Sequence, residues 1–153
     1  MAYLEEGATA PEIKGKDQDG NLISLSDFKG KKVILYFYPK DNTPGCTAEA
    51  CNLRDNYDAL LQKGFAIIGV SADSAKSHQN FRQKHDLPFP LLVDEDKEVI
   101  KSYGAWGEKK MYGKTYEGIL RTTYVIDEEG KIEKVFPKVK TKDHTKQILD
   151  ELN

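Results

Sequence analysis

Cysteine is scarce in this chain of 153 residues, with only Cys46 and Cys51. Two are too few for the disulfide framework that small secreted domains use in place of a core. Long apolar runs are missing as well, and no stretch approaches the roughly 18–20 residues a membrane-spanning helix needs. The start MAYLEEGATAPEIKG has neither the basic region nor the apolar stretch of an export signal, so a cytoplasmic location is expected. Excess charge of one sign is absent too: 23 lysines and arginines face 25 acidic residues, a net charge of −2. That balance offers no general attraction for nucleic acid or anionic lipid. No internal repeat, low-complexity tract or Pro/Ser-rich linker divides the chain, so 1–153 reads as a single domain. Stable structural disulfides are rare in the cytosol, which leaves the two thiols either inert or chemically active.

What is present supports a real core. At 39% hydrophobic and 31% charged residues the composition is that of a soluble globular protein, and a chain of this size buries about 68–70% of its unfolded surface. PEIKGKDQDGNLISLSDFKGKK predicts an N-terminal hairpin turning at DQDGN, with SDFKG supplying an N-cap serine and a closing glycine. KVILYFYP and GFAIIGVSAD are apolar on both parities, as strands buried on both faces are. Between them CTAEACNLRDNYDALLQKG has Leu53, Tyr57, Leu60 and Leu61 at helical spacing and ends in Gly64, predicting a strand–helix–strand crossover. SAKSHQNFRQKHD, FPLLVD and DKEVIKSYG continue as helix, strand and helix. GILRTTYVIDEEGKIEKVFP predicts a second hairpin and TKDHTKQILDELN a closing helix. The expected class is mixed α/β with a partly antiparallel sheet.

Both cysteines fall just after the first buried strand, where catalytic groups of open α/β sheets collect. Pro39 ends that strand, Thr43 can cap the next helix, Pro44 suits its first position and Cys46 takes the third. A sulfur there lies near free backbone N–H groups and the Thr43 hydroxyl, in the positive field of a helix start, which favours the thiolate. Cys46 is therefore a candidate nucleophile; the alternative is a small buried hydrophobe.

Cys51 lies five residues on, about 8.7 Å away between Cα atoms on an ideal helix. Disulfides need Cα atoms within about 7 Å, so a Cys46–Cys51 bond would require the first turns to unwind. TPGCTAEAC, rich in weak helix formers, would allow it. Cys51, mid-helix, could equally be a core residue. Zinc fits poorly, since structural sites use four ligands and no further cysteine exists. A cysteine hydrolase would need a histidine base, but His78, His85 and His144 show no clustering and read as surface positions on helices. A thioredoxin-type dithiol uses C-x-x-C, which is not this spacing. Reaction with peroxide fits better: a thiolate becomes a sulfenic acid, and a second thiol condenses with it to a disulfide.

Splitting a peroxide also needs a fixed cation. Only three arginines exist, Arg54, Arg82 and Arg121. Arg54 lies about 12 Å beyond Cys46 along the helix, whereas Arg121 opens the apolar strand LRTTYVID and is the candidate partner. The segment GAWGEKKMYGKTYEG, residues 104–118, reads as an irregular surface connection.

YFYPKDNTPGCTAEAC followed by LRD resembles the peroxiredoxins of the bacterioferritin comigratory protein or peroxiredoxin Q class, whose Pro-x-x-x-Thr-x-x-Cys signature reads here as Pro39, Thr43 and Cys46. The likeness continues through FPLLVDEDKEVIKSYGAWGEKKMYGKTYEGILRTTYVIDEEGKIEKVF. It implies a thioredoxin fold with an N-terminal β-hairpin extension and a thiol peroxidase acting on hydrogen peroxide and organic hydroperoxides. By the same resemblance Cys46 is peroxidatic and Cys51 resolving, forming an intramolecular disulfide that thioredoxin or a similar dithiol reduces. Thr43 and Arg121 would position the peroxide, Pro39 would shield the pocket and Glu49 would support the arginine. No metal, haem or flavin is implied, and a monomer is expected because the resolving thiol is internal. The competing function is a redox sensor or chaperone-like binding module on the same fold.

Overall fold

A computed structural model describes residues 3–152. Seven strands form one sheet, in the order β2 (Leu22–Ser24), β1 (Lys14–Lys16), β5 (Leu91–Val93), β4 (Phe65–Ser71), β3 (Lys32–Phe37), β8 (Thr122–Ile126) and β9 (Ile132–Phe136). The N-terminal hairpin forms one edge. A short 3₁₀ turn over Leu25–Phe28 follows it, capped by Ser24 and Asp27 in a reciprocal box rather than by the serine of SDFKG.

The apolar run in β3 is explained by its two faces. Val33, Leu35 and Phe37 enter one core with Ile68, Val70, Leu92 and Tyr124, while Ile34, Tyr36 and the following Tyr38 enter the other with Ile67, Leu91 and Val125. A strand pairing parallel to β4 on one side and antiparallel to β8 on the other has no solvent face, so both parities must be apolar. Each large side chain so buried contributes about 1.5–3 kcal/mol. The second core is covered by helices α1 (Pro44–Asp55), α2 (Tyr57–Gln62), α3 (Ala75–Lys84) and α5 (His144–Leu152), through Leu53, Leu60, Phe81 and Ile148. Helix α4 (Glu98–Ser102) packs Val99 and Ile100 into the first core. Among the described residues no helix is long and apolar enough to cross a membrane.

Three expectations are corrected. The helix expected to run to Gly64 breaks at Asn56, whose side-chain amide donates to the Asn52 carbonyl at 2.8 Å. That local bond competes with the helical ladder, as asparagine commonly does. The 104–118 segment is an ordered two-stranded ladder of β6 (Trp106–Met111) and β7 (Lys114–Ile119), turning at Tyr112 and Gly113, both at positive φ. Its sequence lacks apolar alternation because most of β7 faces solvent. His78 and His144 are fully buried rather than superficial, and only His85 is half-exposed. Burial is tolerated because every ring nitrogen of the buried pair has a polar partner.

His78 pins the loop after β3: Nε2 donates to the Leu92 carbonyl at 2.9 Å, and Nδ1 meets Asp41 Oδ2 at 2.7 Å. Tyr38 and Ser77 also donate to Asp41. With both nitrogens engaged, His78 has nothing left for a metal.

The Asn52 side chain ties helix α5 to α1. Asn52 Oδ1 accepts from the Thr145 N–H at 2.8 Å, capping α5 from outside, and Asn52 Nδ2 donates to the Lys142 carbonyl at 3.1 Å. Asn52→Ala is expected to cost about 1 kcal/mol, the usual worth of an N-cap, read as a lowered midpoint in denaturant with unchanged slope.

Candidate active site

The register of the sheet builds the site. Because β8 runs antiparallel to β3, with Phe37 opposite Thr122, the residue just before β8 lies at the end of β3 where α1 begins. That residue is Arg121. Its Nη2 lies 3.3 Å from Cys46 Sγ and its Nη1 donates to Glu49 Oε1 at 2.8 Å, so a single guanidinium spans the sulfur and a carboxylate. Glu49 is one turn beyond Cys46 on α1 and has no exposed surface; the Arg121 side chain keeps 24% of its own.

Cys46 is the third residue of α1 and 1% exposed. Thr43 caps the helix in extended conformation (φ −87°, ψ 154°) and Pro44 occupies its first position. The first helical bond runs from Thr47 N–H to the Thr43 carbonyl. The N–H groups of Gly45 and Cys46 precede it and lie in the turn where a helix has no internal acceptor. The Thr43 hydroxyl makes no cap bond and donates instead to the Lys40 carbonyl at 2.9 Å. Pro39 is half-buried two residues after β3. Cys51 is free and half-buried, and α1 is unbroken from Pro44 through Asp55, so the two sulfurs are held apart.

The electrostatics follow from burial and charge. Burial alone would lower Arg121, but the Cys46 sulfur and Glu49 outweigh it and hold the guanidinium charged above its ordinary range. Burial pushes Glu49 up to about 7, against the opposing pull of Arg121. Tyr36 is a buried phenol, raised well above its usual value by burial, then by Glu49 and Cys46. Lys109 of β6 donates to the Ile119 carbonyl at 2.8 Å. It is lowered by burial and by Arg121, with Cys46 opposing, so its charge acts in the same field as the sulfur and the guanidinium. Arg54 turns away to Asp55 and the His85 carbonyl.

Gly45 provides the space for Arg121: a Cβ there would lie 3.1 Å from Nη2. Gly45→Ala therefore separates two effects. A helical Gly→Ala change gains up to about 1 kcal/mol of stability, while a guanidinium displaced by a few tenths of an ångström is expected to slow sulfur oxidation about 3–10-fold. Thermal unfolding and rapid-mixing oxidation of the same protein check both signs.

Residues 7–135 match the AhpC/TSA family. The chain belongs to the AhpC/TSA family. It is a peroxiredoxin, a thiol peroxidase. It is 50% identical to a putative peroxiredoxin Bcp of Coxiella burnetii, covering 97% of this chain and 99% of that one. It is 47% identical to peroxiredoxin Bcp of Bacillus subtilis, covering 97% and 95%. Among solved structures, a cysteine-to-serine variant of Xylella fastidiosa peroxiredoxin Q superposes with TM-score 0.92 at 31% identity, covering 99% and 97%. The bacterioferritin comigratory protein of Xanthomonas campestris superposes at 0.89 and 36%, covering 99% and 96%. The peroxiredoxin architecture is the expected thioredoxin fold, with the N-terminal hairpin added at the sheet's edge.

The site contains residues that sequence reasoning missed. His144 places Nε2 3.6 Å from Glu49 Oε2, and Lys109 and Tyr36 lie in the same field. Tyr36 was hidden in an apolar strand and His144 and Lys109 among polar neighbours, so no local signal marked them.

Proposed function

We propose that Cys46 is the peroxidatic nucleophile and Cys51 the resolving thiol of a thioredoxin-recycled peroxidase working as a monomer in the cytosol on hydrogen peroxide and small organic hydroperoxides. The support is the placement of one sulfur at the start of α1 within 3.3 Å of a guanidinium that Glu49 holds from behind. The Cys46 thiolate attacks one peroxide oxygen, the O–O bond breaks, and sulfur keeps the oxygen as sulfenic acid while the leaving alkoxide or hydroxide takes a proton. Negative charge moves from sulfur to the departing oxygen, and Arg121, with the free N–H groups of the first turn, offers donors at both ends of that path. Pro39 and Thr43 wall the approach and orient the peroxide. The Cys51 thiolate then attacks the sulfenic sulfur and expels its hydroxyl as water. This closes the disulfide after the first turns of α1 open, and an external dithiol restores both thiols.

One equivalent of hydrogen peroxide should leave a monomer lighter by two hydrogens, with no free thiol and with the two-hydrogen loss located in the tryptic peptide 41–54 that holds both Cys46 and Cys51. A disulfide between two chains would overturn the internal pairing. Steady turnover should be fastest with thioredoxin when glutaredoxin and glutathione compete as donors. A single oxidation without turnover by any dithiol would indicate a sensor instead.

A further inference from the structure

Behind the sulfur lies a pair that the reaction above does not use. The Gln147 amide has a fixed orientation: Nε2 donates to the Lys138 carbonyl at 2.7 Å, and Oε1 accepts from the Lys140 N–H at 2.9 Å. The same Oε1 lies 2.9 Å from His144 Nδ1, so Nδ1 must carry the hydrogen and the neutral ring presents a bare Nε2. That nitrogen meets the Thr123 hydroxyl at 2.8 Å and Glu49 Oε2 at 3.6 Å. Oε2 is buried and has no hydrogen-bond partner. Were Glu49 ionised, a bare oxygen would be buried against a bare nitrogen with no donor for it. Nε2 already accepts from Thr123 and lies beyond hydrogen-bond length of Oε2; a proton on Oε2 turns that oxygen into a donor facing the nitrogen and removes the opposition of two lone pairs, while Oε1 continues to accept from Arg121.

We propose that Glu49 carries a proton on Oε2, facing the bare Nε2 of His144, and that His144 is a positioning residue keeping Glu49 neutral so that the charge of Arg121 is available to Cys46. This rests on the role proposed for Cys46. Burial favours the same state, raising Glu49 to about 7 and keeping His144 neutral down to about 4. The charged or titratable groups around Glu49 are Arg121 before β8, Cys46 and Cys51 on α1, Tyr36 on β3 and His144 on α5, with Lys109 beyond Arg121. Of these only Arg121 and Lys109 favour the ionised carboxylate. As pH rises through about 7 the proton leaves Glu49. The new anion then neutralises Arg121, and the cation's pull at sulfur weakens.

The test compares the wild type with Glu49→Gln, whose amide reproduces the protonated carboxyl, accepting from Arg121 and donating toward His144. The second-order rate of Cys46 oxidation by hydrogen peroxide, taken as the ratio of wild type to Glu49→Gln, should fall about tenfold between about pH 6 and about pH 8.5. A ratio independent of pH would overturn the proposal. Two readouts need no peroxide and so stand apart from the assignment of Cys46. Infrared difference spectra should show a protonated carboxyl band below about pH 7, absent in Glu49→Gln, and nitrogen NMR should show His144 as the Nδ1–H form. Absence of that band, or an Nε2–H form, would equally overturn it. His144→Asn keeps a donor for Gln147 but nothing that reaches Glu49, and should lower the pH at which the band titrates; an unmoved or raised midpoint counts against the pair. Should that variant fail to fold, the wild type and Glu49→Gln spectra decide alone.

Discussion

Cys46→Ser consumes no hydroperoxide, and Cys51→Ser consumes one equivalent and stops: these are the expected results for the two thiol variants, and their inequality carries the assignment of roles. Serine at position 46 keeps the size of the side chain and the contact with Arg121, but its hydroxyl does not ionise near neutral pH and cannot attack the O–O bond. Serine at position 51 leaves the guanidinium, Glu49 and the start of α1 intact, so the first oxidation should proceed at the wild-type rate. The product is trapped as a sulfenic acid, one oxygen heavier by mass, captured by a carbon nucleophile selective for sulfenic acids and no longer by a thiol-alkylating label. The barrier to resolution is conformational, because sulfurs five residues apart on an intact helix are out of bonding range. Asn52 follows Cys51 directly and ties α1 to α5, so the unwinding must stay N-terminal to it or break the capping of α5. Equal loss of the first oxidation in both variants would exclude this division of labour.

Arg121→Met should slow Cys46 oxidation by about 10²–10³-fold, the usual loss when a fixed donor to a developing oxyanion is removed. The methionine retains much of the arginine's apolar stem, so the measurement isolates the cation. Removing it also removes the cation that donates to Glu49 and holds it down, and the carboxyl should then ionise at still higher pH than about 7. The sign for stability follows. A buried carboxyl that ionises at higher pH when folded than when unfolded makes the folded state the better proton binder. Stability therefore falls as pH rises from the unfolded value of about 4.3 toward the folded one. In Arg121→Met that fall should extend to higher pH than in wild type, which denaturant titrations between about pH 5 and about pH 8 would resolve. A variant with wild-type oxidation rates would remove Arg121 from the chemistry.

Much of the fold was legible because its central strands are unambiguous: KVILYF and FAIIGVS are apolar on both parities and sit in the middle of the sheet. The failures share a cause. Leu53, Tyr57, Leu60 and Leu61 keep helical spacing across Asn56, so periodicity missed a break made by one side-chain bond. Glycines and lysines hid the 104–118 ladder because a hairpin with a solvated strand shows no apolar alternation. His78 and His144 looked superficial because their helical neighbours are polar, and only their partners on other elements make burial tolerable.

The local sequence alone determined where the Cys46 sulfur stands: Pro39 shortly after the strand, Thr43 at the N-cap, Pro44 at the first position and Cys46 at the third are set by backbone preferences reaching only a few residues. Which groups surround that sulfur was decided by the tertiary structure. Arg121, 75 residues away, arrives through the antiparallel register of β8 on β3, and His144 through the docking of α5 by Asn52. Such meetings depend on pairing and packing between distant segments, which short-range patterns of residue type do not encode.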